Sequence, residues 1–300
     1  MSNPAVADAR AHLCAAAHAL LKAAAAVRWD ERRTEDDPVI EATIATLRAV
    51  VEMDPADLRC LEQLAMLLHN VGRLNEAAVL YAEVNRRDPP HPLNDRQRQA
   101  IEILCPRLMT TSAEWFPLVD CAAIHHPVDP VVAYHLFWED DWDYPDDDEP
   151  CDHEVVWVRY RPPEVAPVGV TTYFHGRILA EDVSMAARPV VCVQWGKHGS
   201  LPASWEHMND VRTVLRRDFD AALRGGRMSE HPRKRAWPSR FPGGWTEYTQ
   251  FDHAVDPLTL IRTRKSYTCA RWANAVLQDL LIPYNFHAKR EWPEDGLVNL

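Results

Sequence analysis

Residues 131–160, VVAYHLFWEDDWDYPDDDEPCDHEVVWVRY, restrict the fold of this chain more than any other stretch. Val131 to Trp138 is an unbroken run of β-formers that alternates between two faces. The chain then crosses an acidic, proline-punctuated loop and returns to β pattern at Glu154–Tyr160, where Val155, Val156, Trp157 and Val158 suit a buried strand. Ten carboxylates and no Lys or Arg lie from Glu139 to Glu154. Two strands that pair across such a loop crowd those charges. A bound cation relieves the repulsion, and hard divalent ions prefer oxygen ligands. A solvated acidic loop is the plain alternative.

The chain before this stretch is helical in pattern. Residues 4–29 are strong helix formers with a stripe of Leu13, Leu20, Leu21 and Val27, followed by a charged break from Asp30 to Asp37. A second helix is expected over Val39–Met53 and a third from Asp54-Pro55 to about Asn70. Asp54 would cap that third helix, with Pro55 in its first turn. A fourth runs from beyond Gly72 to near Arg87, before Asp88-Pro89. The two Asp-Pro pairs are 34 residues apart, the period of the tetratricopeptide repeat. Residues 58–89 resemble one repeat of that family, with Leu61, Leu64, Ala65, Leu68, Gly72, Ala77, Tyr81 and Pro89 at its signature positions. Small Ala65 and Ala77 let antiparallel helices approach, and Tyr81 fills the gap towards the next repeat. The preceding repeat is degenerate, with Thr43 where a small alanine belongs. A helix over Asp95–Leu104 is expected to cap the stack. Too few repeats are present to stand alone, so the module is expected to dock on its neighbour.

Pattern and composition change near Cys105-Pro106. Ten of the eleven tryptophans and ten of the fourteen histidines lie beyond residue 110. Short apolar strands separated by Pro and Gly are expected at 115–121, 131–138, 154–161, 168–175 and 189–195, with another at Leu258–Arg264. Helices are expected at Asn209–Leu223, ended by Gly225-Gly226, and at about 267–281. The fold class read from this order is α+β. Residues 1–108 form an all-α domain of tetratricopeptide-like hairpins. Residues 109–300 form a mostly antiparallel β-sandwich with added helices.

A second resemblance bears on the sheet half. The aromatic strand, the acidic loop and Asp152-His153-Glu154 running into Val155-Val156-Trp157 resemble the family named for vacuolar protein sorting-associated protein 62. There an aromatic strand precedes H-E-G-D-W-E and a valine-rich strand. The stretch is also similar to the H-D-W-E signature of the necrosis-inducing proteins. Thr172-Tyr173-Phe174-His175-Gly176 sits where the former family has a strand ending in histidine. Pro189 to Pro202 resembles its P-V-V-Y-V-x-x-G-S-H-A-x-Y-P segment. His153 replaces the family's Trp, and Glu149-Pro150-Cys151 stands where H-E-G is expected. The resemblance, over roughly residues 115–205, implies a β-sandwich holding a divalent metal. It also implies one carboxylate from the segment after the aromatic strand, for which Asp141 is chosen.

The residues themselves supply the rest of the candidate site. Asp152 and Glu154, two apart on a strand, share one face about 7 Å apart. Such a pair shares a proton, meets an arginine (Arg159 or Arg161), or binds a metal. His175 and His198 each end an apolar β run at a sheet rim, and two histidines converging with two carboxylates would suit a divalent transition metal. Strand order decides whether they converge. His153 is the candidate acid or base beside such an ion. His135 reads as a core residue, and His125 and His126 point apart. The basic, aromatic stretch 224–245 reads as a solvated loop, with an anionic aromatic ligand as the alternative. The expected metal ligands are therefore Asp152, Glu154, His175, His198 and Asp141, with a divalent ion as cofactor.

A net charge of −11 argues against nucleic acid or an anionic membrane surface as the main partner. No apolar run approaches the ~18 residues of a membrane span, no secretory h-region forms at the start, and seven cysteines show no paired spacing. The expectation is a cytoplasmic protein with reduced thiols. Two functions follow. One is a metal-dependent enzyme acting on a small molecule. The other is a non-catalytic interaction protein whose repeats bind a protein or peptide partner and whose acidic loop holds a structural cation.

Overall fold

The computed structural model describes residues 38–141, 151–183, 188–223, 241, 243–282 and 286–293, with six helical positions between Ala9 and Ala19. Helices come first and sheets follow, so the chain is α+β. Most of the expected first helix, most of the acidic loop and most of the basic loop lie outside the described residues.

The chain divides into two compact units. One comprises Met1–Pro90 with Arg271–Pro283 and His287–Leu300, and the other His91–Ala270 with Tyr284–Phe286. The division therefore falls earlier than residue 108, and the C-terminal segment belongs with the helical unit rather than with 109–300.

Three helices open the first unit: α1 (Pro38–Met53), α2 (Leu58–Asn70) and α3 (Leu74–Arg87). Their core gathers Ile40, Ile44 and Leu47 with Leu61, Leu64, Ala65, Leu68, Ala77 and Tyr81. The cap of α2 corrects the expectation. Asp57 accepts from the Cys60 N–H at 3.1 Å, whereas Asp54 holds the Ala56 N–H two residues on. Asp54-Pro55 thus makes the turn before the helix, and the helix starts at Leu58. Gly72, at φ +82°, makes the turn between α2 and α3 in a conformation that costs a Cβ-bearing residue energy.

Packed on α3 is a segment from the far end of the chain, α8 (Ala273–Val276) continuing into a π-helical turn (Leu277–Leu281). The Asn85 amide donates to the Ala275 carbonyl at 2.9 Å and to Asp279 at 3.1 Å. Asn70 and Ala288 bond in both directions, at 3.1 and 2.8 Å. Trp272 donates to Asp88 at 2.9 Å. So the C-terminal segment closes the stack, not the helix expected to cap it. That helix, α4 (Asp95–Leu104), carries a capping box of Asn94 and Gln97 and buries Ala100, Ile101 and Leu104 in the second unit.

The second unit holds two mixed sheets. Six strands run in the order β10-β2-β3-β4-β5-β6 and four in the order β8-β7-β1-β9. In the larger sheet β2 (Leu118–His125), β3 (Val131–Trp138), β4 (Asp152–Arg161), β5 (Ala166–Phe174) and β6 (Arg177–Asp182) form an antiparallel meander. Strand β10 (Tyr267–Cys269) adds parallel to β2. In the smaller sheet β1 (Arg107–Thr110) pairs parallel with β7 (Val190–Val193) and antiparallel with β9 (His253–Val255), while β8 (Ser200–Pro202) closes a hairpin on β7.

Alternation sets the layers. Leu108, Val191 and Val193 face the core shared with Val132, Tyr134, Leu136, Val156 and Val158 of the larger sheet. Met109 and Cys192 face the other way, towards Val211, Leu215 and Phe219 of α5 (Asn209–Leu223).

Two expected elements differ. Leu258–Arg264 is not a strand but part of helix α7 (Pro257–Arg264), which follows the one-turn α6 (Trp245–Tyr248). Asp256 caps it by accepting from Leu258 N–H at 3.0 Å, and Pro257 opens the first turn. The start signal outweighed the β-branched composition. Within 267–281, β10 takes the first three residues before helix begins at Ala273. The short strands β1, β6, β8, β9 and β10 were not anticipated. Three to six residues carry too little periodicity to stand out.

Candidate functional site

Pairing of β3 with β4 places Asp152 opposite Trp138 and Glu154 opposite Leu136. Both carboxylates therefore stand on the face that Val156 and Val158 continue into the core, as their spacing requires. Arg159 falls on the opposite face by the same alternation, so it does not share a face with them.

The partner brought to Asp152 is His198. It sits in the turn from Gln194 to Gly199 that joins β7 to β8, where the Gln194 N–H donates to the Gly199 carbonyl at 3.1 Å. His198 N–H in turn donates to the Gln194 carbonyl at 3.0 Å. This turn bends through Gly196 at φ +67° and His198 at φ +51°. The left-handed conformation is unfavourable for histidine, so the contacts of its ring hold it there. Nδ1 lies 2.9 Å from the Asp152 carboxylate and Nε2 lies 3.4 Å from that of Glu114. The ring stacks on Trp138, with centroids 4.4 Å apart and planes within 5°, and meets the edge of Phe116. It has no exposed surface.

Glu114 comes from the loop between β1 and β2, and nothing in the sequence marked it. Its carboxylate also accepts the N–H groups of Trp115 at 2.7 Å, Phe116 at 3.1 Å and Gly196 at 3.0 Å. Trp195 anchors the same loop by donating to the Ala113 carbonyl at 2.7 Å. Ionised carboxylates only accept, so both nitrogens of His198 carry protons. Burial alone would lower the pKa of the ring. The charge of Glu114 and the hydrogen bonds to Asp152 and Glu114 outweigh burial and raise it to about 10. His198 is an imidazolium clamped between two carboxylates and lying on an aromatic face.

His175 belongs to a second network. It ends β5 at φ +48° and gives its Nε2 to the Gln194 side-chain oxygen at 2.7 Å, with Asp218 at 3.2 Å. Gln194 in turn donates to Asp218 at 2.8 Å and to the Tyr248 hydroxyl at 3.1 Å. Because Asp218 takes the amide nitrogen, the Gln194 oxygen faces the histidine, and His175 carries its proton on Nε2. Burial, with Lys197 close by, lowers its pKa to about 4, so the ring is neutral. Asp218 had a signal in the sequence. It stands seven residues after Val211 and three after Leu215, a charge on the apolar stripe of α5.

His153, the candidate acid or base, points away from this site. It pairs with Phe137 on the other face of β4, stacks on that ring at 4.8 Å and lies 3.0 Å from Nδ1 of His135. Period two puts residue 153 on the face that 152 and 154 do not share, so no role beside them is open to it. Burial takes His135 down to about 3, and it is a core residue as expected. His125 and His126 point apart: the first bonds the Tyr160 hydroxyl at 2.9 Å and the second accepts the Asp129 N–H at 2.8 Å. Asp141 donates its own N–H to Asp140 at 2.8 Å, at the last described position before the acidic loop.

The five expected ligands therefore do not come together as one set. Asp152 and His198 meet, Glu154 shares their face, and His175 is committed to Gln194 and Asp218. Among the described residues no group of three or more His, Cys, Asp or Glu is placed to hold a metal ion. Among the described residues six cysteines are buried, and no helix is long and apolar enough to cross a membrane. No family model, no curated protein and no solved structure matches this chain.

Gly199 backs the whole arrangement. A Cβ there would lie 2.8 Å from the Phe174 ring and 3.2 Å from the Gln194 side-chain oxygen. Phe174 is fully buried and has nowhere to go. Gly199→Ala is expected to destabilise the protein by about 1–3 kcal/mol in chemical denaturation, the usual cost of overpacking. An unchanged midpoint would show that the turn yields.

Proposed function

We propose that this chain is a non-catalytic interaction protein. Its helical hairpins, of tetratricopeptide type, carry the contact with a protein or peptide partner, and its two sheets form a β-sandwich that serves as a rigid support. One observation carries this reading: the polar centre of the sheets is closed. Both nitrogens of His198 are taken by protein carboxylates, its ring is covered by Trp138 and Phe116, and it has no exposed surface on which a substrate would act. The positive charge beside Asp152 and Glu114 is the imidazolium itself. The buried signature residues of the hairpin, from Leu61 to Tyr81, support the repeat assignment.

The test sets two variants against each other in affinity capture from cells with quantitative mass spectrometry. Val79 on α3 is 69% exposed, and Val79→Glu is expected to leave the melting temperature within about 1 °C while removing the captured partners. Asp152→Asn is expected to leave capture intact wherever the protein stays folded. Chelation is expected to leave the melting temperature unchanged. A partner set indifferent to Val79→Glu overturns the reading. So does a divalent ion whose removal lowers the melting temperature and abolishes turnover of a small molecule, which establishes the metal-dependent enzyme instead.

A further inference from the structure

The helical unit contains a second pair of buried acids, apart from the candidate site. Glu62 of α2 and Glu291 of the C-terminal segment are 0% and 1% exposed. Both converge on Asn274 at the start of α8. The Asn274 side chain reaches Glu62 at 3.4 Å, and its backbone N–H donates to Glu291 at 3.1 Å. Glu291 also accepts the N–H of Ala273, and Asn274 donates to the Lys289 carbonyl at 2.9 Å. One carboxyl thus belongs to the helix that receives the segment and the other to the segment itself.

Titratable groups described nearby include Tyr81 of α3 and His69 of α2, whose ring lies 3.4 Å from the Tyr81 hydroxyl. Arg290, next in sequence, donates to the Pro293 carbonyl at 3.1 Å. Two bare carboxylates bonded to one asparagine and this dry repel strongly, so one proton between them is the stable arrangement. We propose that Glu62 and Glu291 form a proton-held latch that fastens the C-terminal segment onto α2 and α3 and releases it as the pH rises.

Burial, the charge of Glu62 and a hydrogen bond from one carboxyl to the other push Glu291 well above the usual carboxylate range. Burial, Glu62 and Glu291 also push Tyr81 up, so the phenol stays neutral and does not compete. The sign follows from the raised value. The stabilisation is complete below the unfolded carboxyl pKa and is lost as the pH rises through the folded one. Opening at high pH passes the shared proton to water and leaves two hydrated carboxylates. It also uncovers the apolar face around Leu61, Leu64 and Tyr81 against which Ala275 packs.

Hydrogen exchange of the full chain, corrected for the intrinsic pH dependence of amide exchange, measures the opening of residues 273–281 and 287–293. Infrared spectroscopy of the same samples follows the protonated carboxyl stretch. A protonated band is expected at neutral pH. The opening constant is expected to rise roughly tenfold per pH unit from the usual carboxylate range up to the pH at which that band disappears, and to level off above it. Glu62→Gln removes the second charge and offers Glu291 an amide donor that does not titrate, so the rise in this variant should level off at a lower pH than in the wild type. Absence of the band, an opening constant that stays flat below the pH at which the band disappears, or an unaltered pH dependence in Glu62→Gln would each overturn the latch. If Glu62→Gln does not fold, the two wild-type measurements decide the question by themselves.

Discussion

His198→Ala is expected to destabilise the fold by about 3–5 kcal/mol in urea denaturation, because it leaves the partly buried Asp152 and Glu114 without their cation. The loss has three parts. Two charge-assisted hydrogen bonds go, at 2.9 and 3.4 Å. The stacked contact with Trp138 goes, leaving a void where the ring lay. Coulomb repulsion between the two carboxylates then stands unopposed. Neutral isosteres separate these parts. Asp152→Asn with Glu114→Gln, added to His198→Ala, is expected to recover the electrostatic share and leave only the cavity cost. The pH profile gives an independent check. His198 has its folded pKa raised to about 10, so its contribution is complete below the unfolded value of about 6.5 and is lost as the pH rises towards 10. Stability of the sheet unit is expected to fall through that window in the wild type, and this slope to flatten in Asp152→Asn with Glu114→Gln. A His198→Ala protein within about 1 kcal/mol of wild type would mean that the centre is not dry.

Some of this was legible in the residues and some was not. The β3–β4 hairpin could be read because its signals agree: aromatic and β-branched residues, period two, and a proline-bearing loop between. The common face of Asp152 and Glu154 followed from the same period. Applied to His153, that period already placed it on the other face, and the role considered for it beside the carboxylates was inconsistent with the spacing. Glu114 had no signal, since a lone carboxylate in a loop gains meaning only when the chain folds back on it. Gln194 reads as one polar residue at the end of a β run, although its side chain links His175, Asp218 and Tyr248 and its carbonyl receives His198. The closing of the helical stack was illegible for a different reason. Local pattern correctly makes Asp95–Leu104 a helix, but it does not say which unit receives that helix. The partner that α3 does receive, α8, is four residues long and starts 185 residues after Asp88.

That distant partner is the source of the second large effect. A chain ending at Ala270 is expected to lose cooperative folding of the helical unit altogether. Its helices should become sensitive to protease at temperatures where the full chain resists. The deleted segment buries Ala273, Ala275, Val276, Leu277, Ala288 and Trp292. At about 1.5–3 kcal/mol for each large apolar side chain, less for alanine, its removal costs more than about 5 kcal/mol, which approaches the whole stability of a small domain. The polar groups left behind add to this. Asn85 loses the Ala275 carbonyl and Asp279, and Asn70 loses both bonds to Ala288. Each hydrogen bond lost contributes about 0.5–1.5 kcal/mol. Three helices with so small a core have no reserve against such losses, as short helical repeat arrays show when a terminal cap is removed. A peptide of residues 271–300 added in trans is expected to restore protection of α2 and α3, because the contacts it makes there are the ones the deletion removes. A helical unit that melts cooperatively without residues 271–300, at the temperature of the intact chain, would show that α1, α2 and α3 are sufficient by themselves.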